Sequence, residues 1–423
     1  MRWKVTRAGA PSGGVTSHEE RGGLARGAAE AVGRERGPRR GRSLVLLSSL
    51  GVLLYWASLY VYVPILPVYA RALGGSLTLV GLIVGSYGLA QLLLRVPLGL
   101  ASDRLGRRQP FAVAGLVAAL LSGLGLAVAP SAEWLLVGRT LAGVSAATWV
   151  TTSVLFAGLF PARETTRAMG LATFLTGLAQ LLATTAGGKI ADDLGWQAPF
   201  LVAAGLGLVG TLVMLAVPEI GASAKTVPDW RALLRAASQR QLLAVSLVAA
   251  IGQYAFWAAS YAFVPVYADA LGYTRTEIGF LTTATLLPYT VAALAIIPLA
   301  RRLGDRAVVC LGLLFAALSP IATPLVTDFV PLALVQAVGG LGRGLAFPAL
   351  MACGIRAVVP SERGTAMGVY QAIYALGMTV GPASAGLVAE GLGVDGALRV
   401  TGVMTLLGLA LAWRALIERE PTA

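Results

Sequence analysis

Apolar residues in this chain do not scatter; they fall into long, nearly uncharged runs separated by short basic or acidic connections. Twelve such runs cover approximately 44–69, 78–102, 110–129, 133–159, 167–190, 197–217, 241–268, 277–300, 307–325, 329–356, 365–389 and 394–416. Each is about 20–28 residues long, and roughly 20 apolar residues suffice for a helix to cross a ~30 Å hydrocarbon core. In lipid every backbone N–H and C=O must be bonded within the protein, so a run of this length crosses as a helix. Only 13% of residues are charged, about half of what a soluble domain carries, so the chain lacks the means to cover a water-facing surface. The fold class that follows is an all-α, multi-pass membrane protein with twelve transmembrane helices, whose first partner is the lipid bilayer and whose expected place is the cell membrane.

A repeat divides those helices. The octapeptide Pro-Val-Tyr-Ala-Arg-Ala-Leu-Gly at Pro67–Gly74 returns as Pro-Val-Tyr-Ala-Asp-Ala-Leu-Gly at Pro265–Gly272, a shift of 198 residues. The same shift carries Arg104-Leu105-Gly106 onto Arg302-Leu303-Gly304, and Ala168-Met169-Gly170 onto Ala366-Met367-Gly368. Three matches at one offset indicate a tandem duplication into two six-helix pseudo-repeats, the plan of a two-lobed membrane transporter. The expected organisation is a basic tail over 1–43, a first six-helix lobe over 44–217, a linker over 218–240, a second lobe over 241–416 and a short tail over 417–423. The N-terminal tail reads either as a disordered cytoplasmic segment or as the product of a start site placed too far upstream. The linker reads as ending in a short amphipathic helix over Asp229–Arg240.

The formal charge of +13 raises the question of nucleic acid, and its placement answers it. Residues 1–43 hold ten Lys/Arg against four Asp/Glu, and most of the remaining arginines cluster in alternate loops: Arg104/Arg107/Arg108, Arg163/Arg167, the central linker, Arg301/Arg302/Arg306, Arg356/Arg363 and Arg414/Arg419. The opposite loops carry Glu133, Asp192, Asp193, Asp269, Glu277, Asp328, Glu390 and Asp395. This alternation is a topology signal and places both termini in the cytoplasm; no nucleic-acid partner is expected. The only histidine, His18, is in the tail, and Cys310 and Cys353 lie inside apolar runs. With no G-x-x-x-x-G-K-[ST] loop and no catalytic cluster, neither enzyme chemistry, a metal, a cofactor nor nucleotide-driven transport is expected.

Two motifs carry a family resemblance. The loop after the second run reads Gly99-Leu100-Ala101-Ser102-Asp103-Arg104-Leu105-Gly106-Arg107-Arg108, and Leu136-Val137-Gly138-Arg139-Thr140-Leu141-Ala142-Gly143 lies in the fourth. Gly99 permits close helix approach, Gly106 a tight turn, and Asp103 can pair with an arginine or a helix N-terminus. These stretches resemble the signatures G-x-x-x-D-R-x-G-R-[KR] and R-x-x-[QA]-G of the major facilitator superfamily. The resemblance implies a twelve-helix transporter in which Gly99, Asp103, Arg104, Gly106, Arg107 and Arg108 form a latch between lobes, with Asp103 and Arg107 as switch residues. Arg139, with Gly143 in the same motif, costs roughly 2.5–3.5 kcal/mol to insert, so it either faces inward to a partner or snorkels outward. The superfamily's antiporter motif is reduced to Gly187-Gly188 in the fifth run, whereas Gly377, Gly381, Pro382 and Gly386 retain its spacing in the eleventh. Small residues so spaced serve close helix crossing.

Helical periodicity nominates a mid-membrane cavity for a small-molecule substrate. Tyr55 and Tyr62 stand seven apart; Ser145 and Trp149 share a face, as do Gln253, Trp257 and Tyr261, and Gln336, Arg343 and Phe347. Arg343 lies near the middle of a 28-residue run, and its repeat mate is Ser145. No Asp or Glu occupies the middle of any run, which disfavours cationic substrates. The resulting expectation is a monomeric secondary transporter working by alternating access, effluxing a neutral or anionic small organic molecule, with protons as a candidate coupling ion. Coupled or facilitated uptake of an organic anion or sugar stands as the alternative.

Overall fold

The computed structural model describes residues 38–161, 164–219, 238–356, 358 and 363–416. The tail 1–37, linker residues 220–237 with most of the expected short helix, and 417–423 lie outside the described residues. Residues up to Leu46 form a unit of their own, of which the first turns of helix α1 are described; all that follows concerns the unit Leu47–Ala423.

Fourteen α-helices follow in order among the described residues: α1 (Pro38–Tyr60), α2 (Leu66–Ala72), α3 (Leu77–Leu105), α4 (Gln109–Ala127), α5 (Ala132–Ala147), α6 (Trp149–Ala157), α7 (Thr165–Leu194), α8 (Ala198–Leu215), α9 (Arg240–Ala258), α10 (Val264–Ala270), α11 (Arg275–Leu303), α12 (Asp305–Ala322), α13 (Phe329–Arg356) and α14 (Arg363–Ala415). No strand occurs among the described residues. Eleven helical stretches there are long and apolar enough to cross a membrane. The last lies within α14, which spans 53 residues, about 80 Å if straight and more than twice the hydrocarbon core. It is broken at Gly393, where φ 72° and ψ 173° leave the helical region.

Several apolar runs that read as single helices are interrupted. The first breaks between Tyr60 and Leu66, and the seventh passes through a π-helical turn at Ala259–Phe263; the two interruptions are repeat mates. The fourth run bends at Thr148, whose amide bonds the Ser145 carbonyl at 2.9 Å.

The duplication is visible in the backbone. Among the described residues, the six glycines with positive φ form three pairs 198 residues apart: Gly74 with Gly272, Gly106 with Gly304, and Gly195 with Gly393. Each ends a helix or turns the chain where a side chain would be strained. The N-caps repeat as well. Ser76 accepts from the Leu79 amide at the start of α3, and its mate Thr274 forms a capping box with Glu277 at the start of α11.

Within the first half α3 packs on α5, and α4 on α5 and α8; within the second, α11 and α12 pack on α13, and α9 on α14. Between the halves α14 lies against α3, and α7 against α11. These two crossings position the site.

Candidate functional site

Three arginines lie in the interior of long apolar helices: Arg95 on α3, Arg139 on α5 and Arg343 on α13. Among the described residues no carboxylate pairs with them. Among the described residues the ion pairs are Asp103–Arg108, Glu164–Arg167, Asp193–Lys189, Asp192–Arg275 and Asp305–Arg356, all near helix ends. No metal-binding cluster occurs among those residues.

Arg343 is surrounded by ring faces. Its Cζ lies 3.4 Å from the Phe256 ring centre, 4.8 Å from Tyr289 and 5.8 Å from Phe347. Each such contact contributes on the order of 0.5–2 kcal/mol, well short of the cost of dehydrating a guanidinium. Its Nε is buried with no hydrogen-bond partner, as is Gln253 Oε1, and both residues line a cavity of about 30 Å³. That space admits one water or one oxygen of an acid. A larger groove, about 650 Å³, lies between α12 and the end of α14, lined by residues such as Leu311, Leu314, Leu406 and Leu409, and holds none of the three arginines.

Arg95 was not singled out from the sequence, although the signal that exposes Arg343, an arginine deep in an apolar run, is present there too. Its Nη1 donates to Gln371 Oε1 at 2.9 Å and to Tyr374 Oη at 2.8 Å, both on α14, and its Nη2 donates to Gln91 Oε1. Its Nε is buried and unpartnered. Arg139 is only 1% exposed, its Cζ 4.3 Å from the Tyr87 ring centre, with Nη1 3.3 Å from Tyr62 Oη. It is buried within the bundle and does not snorkel.

The remaining nominated residues divide into groups. Tyr55 Oη donates to the Ser145 carbonyl at 2.5 Å and its ring stacks on Trp149 at 6.0 Å, so these three gather in the first half. Trp257 stacks on Tyr87 at 5.1 Å and Tyr261 meets Tyr60 at 6.0 Å, forming an aromatic seam between the halves. Tyr62 stays with Arg139. Gln336 stands apart, donating to Thr323 Oγ1 at 3.0 Å.

The loop after α3 is tied to its own half. Asp103 pairs with Arg108 at 3.6 Å, Gly106 takes the left-handed cap of α3 (φ 63°), and a Cβ on Gly99 would lie 3.3 Å from Val150. Arg104 and Arg107 are exposed. The start of α4 is capped by Glu219, which accepts from the Arg108 and Gln109 amides at 2.9 and 2.8 Å. Sequence reading passed over Glu219 because it sits at the linker's start, far from its partner along the chain. In the fourth run, a Cβ on Gly143 would lie 2.6 Å from the Tyr87 carbonyl, so this glycine permits the α3–α5 crossing.

The glycine motif of α14 serves two crossings. Gly377 and Gly381 lie against Ala250 and Tyr254 of α9, while Pro382 and Gly386 lie against Gly81 and Leu77 of α3. Beside them the two halves are clamped at the end that carries the acidic loops. Glu390 accepts from the Thr78 amide (3.1 Å) and hydroxyl (3.4 Å) at the start of α3. Asp192 accepts from the Arg275 amide (3.2 Å) and from the Thr276 amide (2.7 Å) and hydroxyl (2.6 Å) at the start of α11. Asp192 and Glu390 are repeat mates, as are Thr276 and Thr78, and each carboxylate meets the unbonded amides and positive end of a helix from the other half. Arg275 further stacks on Trp196 at 3.8 Å.

A helical membrane bundle of two repeated halves, meeting over buried cations and rings, defines a solute transporter. The chain belongs to the Major Facilitator Superfamily, whose family model matches residues 48–274 and 245–423. It is similar to an uncharacterized transporter of this superfamily from Methanocaldococcus jannaschii, with 22% identity covering 81% of this chain and 90% of the relative. The quinolone resistance protein NorA of Staphylococcus aureus is 30% identical over 30% of this chain and 33% of its own length, so that match spans one third of the relative. Among solved structures, a bacterial homolog of the human lysosomal transporter Spinster, inward-facing and unoccupied, superposes with a TM-score of 0.77 at 15% identity, covering 90% of this chain and 98% of that one. The human organic anion transporter MFSD10 superposes with a TM-score of 0.65 at 19% identity, covering 89% of this chain and all of the other (100%).

Proposed function

We propose that this protein is a secondary transporter that extrudes a neutral or anionic small organic molecule by alternating access. In this reading α14 contributes two spans divided at Gly393, giving twelve, and the arginine-rich loops and both termini face the cytoplasm. The two halves rock about a central site, and the latch residues Asp103 and Arg107 take part in the switch. One observation carries the substrate class: Arg343 lies among aromatic rings with a buried, unpartnered Nε and no carboxylate in the interior of any described span. A guanidinium so placed prefers an anionic or hydrogen-bond-accepting ligand and repels a cation. Similarity to a quinolone resistance protein and a fold shared with an organic anion transporter support export of small organic compounds.

The test is transport in proteoliposomes of the purified full chain, loaded with a pH-sensitive dye and challenged with matched neutral, anionic and cationic compounds. Anionic and neutral solutes should move and cations should not. Arg343→Ala should reduce anion transport about tenfold or more and neutral transport much less, the loss of one well-formed charge-assisted bond. Preferred transport of cations, or equal losses for both classes, would remove Arg343 from the substrate site. Proton release accompanying solute entry would add antiport to the reading.

A further inference from the structure

Building on the anionic reading just given, we propose that Arg95 is a second anion-binding residue and that the site takes an organic diacid, one acidic group on Arg343, the other on Arg95, with an apolar body between.

Geometry joins the two guanidiniums. Arg95 Cζ lies 5.7 Å from the centre of the Tyr374 ring; that ring lies 5.7 Å from Phe347, and Phe347 lies 5.8 Å from Arg343 Cζ. The two rings meet edge to face, at an interplanar angle of 75°, and link the arginines as a chain of aromatic contacts with a cation at each end. An aliphatic or aromatic spacer would lie beside these rings once the halves part, because the cavity at Arg343 as described, about 30 Å³, admits a single acid oxygen.

The charges call for such a ligand. All hydrogen-bond acceptors of Arg95 are neutral, namely Gln91, Gln371 and Tyr374, and its Nε is buried without a partner. Arg343 has ring faces in place of acceptors. Two cations in a low-dielectric interior with no carboxylate repel each other and lack counterions, and one diacid supplies both. Arg139 also has an unpartnered Nε, but it is 1% exposed, lies against the rings of Tyr62 and Tyr87, donates to Tyr62 Oη and lines no part of the cavity at Arg343.

Position adds a mechanical consequence. Arg95 belongs to the first half of the chain and Arg343 to the second, while Gln371 and Tyr374 also belong to the second. Arg95 thus already holds the halves together through neutral acceptors. An acidic oxygen is a stronger acceptor than either and would take over that contact, so ligand binding and inter-half contact are exchanged at one residue.

The experiment measures tryptophan fluorescence of the full chain in detergent, titrated with diacids from succinate to suberate and with terephthalate, each beside its monoamide. At least one diacid should bind about tenfold or more tightly than its monoamide. Arg95→Gln should abolish that preference while leaving monoamide affinity within about twofold, and Arg95→Lys, which keeps the charge but loses the fork, should restore part of it. Arg343→Gln should weaken both ligands. A monodisperse elution profile and an unchanged unfolding midpoint establish that each variant is folded; where Arg95→Gln does not fold, Arg95→Lys decides alone, by a lowered diacid preference at constant monoamide affinity. The proposal is overturned if no diacid outbinds its monoamide, or if Arg95 variants weaken both ligands equally. If monoacids bind and diacids gain nothing, only the role of Arg95 fails; if no acid binds while neutral compounds do, the anionic reading fails with it.

Discussion

Arg139 and Arg343 are both intramembrane arginines, yet their surroundings assign them different work. Both have a buried Nε without a partner, but Arg343 lines a cavity, whereas Arg139 is packed against Tyr87 and hydrogen-bonded to Tyr62 Oη. No carboxylate pairs with Arg139 among the described residues, so its contribution is volume, ring contact and one hydrogen bond. Arg139→Ala should therefore destabilise the fold by about 2–5 kcal/mol, through the void and through the stranded tyrosine hydroxyl. Arg139→Met, which refills most of the space without burying a charge, should cost less than the alanine change. Denaturant titration in detergent distinguishes the cases. An Arg139→Lys variant more stable than the methionine variant would show that the charge itself is required, as the span-four motif of the superfamily would suggest.

Elements rather than single residues hold the two halves together at the acidic end. Each clamp is a carboxylate at the end of one helix capping the first turn of another, and a lost helix cap costs about 0.5–2 kcal/mol. Combining Asp192→Asn with Glu390→Gln should shift the balance toward the state open at that end by about 10- to 100-fold. Spin labels on Ser131 and Thr327, with Cys310 and Cys353 first replaced, read the separation directly. The Asp192 change alone should exceed the Glu390 change alone, because Asp192 meets three donors and the Arg275 guanidinium while Glu390 meets two. An unchanged distance distribution in the double variant would mean that the glycine crossings alone set the closed state. The helices, the 198-residue offset and the turn glycines were legible in the sequence, since apolar length and punctuation are local properties. The clamps were not: Asp192 and Glu390 read only as topology signals, and the Thr78–Glu390 contact joins residues 312 apart. The break at Ala259–Phe263 was hidden for a related reason, since a π turn rearranges hydrogen bonds without altering the apolar pattern that marks the run. Arg95 differs from both cases, for its position inside an apolar run was on display and only its partners required the fold.

At the scale of the whole molecule, the interior charge decides which gradient can drive transport. The described spans hold Arg95, Arg139 and Arg343 in their interior and keep every described ion pair near helix ends. A proton-coupled exporter of cations needs a carboxylate whose pKa burial raises into the working range, and no span interior offers one. An exporter of anions has no such need. Moving one negative charge outward across an inside-negative membrane gains about 2.3 kcal/mol per 100 mV, equivalent to about a 50-fold concentration ratio. The loaded site is also closer to neutral than the empty one, which lowers the electrostatic barrier to rocking with ligand bound. On the proposed reading the membrane potential alone suffices to drive export of an organic acid, and such a cycle requires no membrane carboxylate. Proteoliposomes with an imposed potassium diffusion potential test it. Valinomycin-generated potential, positive on the side toward which the anion moves, should accelerate transport and raise its plateau, whereas a pH gradient imposed at zero potential should do neither. The reverse result, a response to the pH gradient and none to the potential, would require a protonatable group in the cycle and would direct attention to Asp103, Asp269 and Glu277, the carboxylates nearest the helix interiors by sequence.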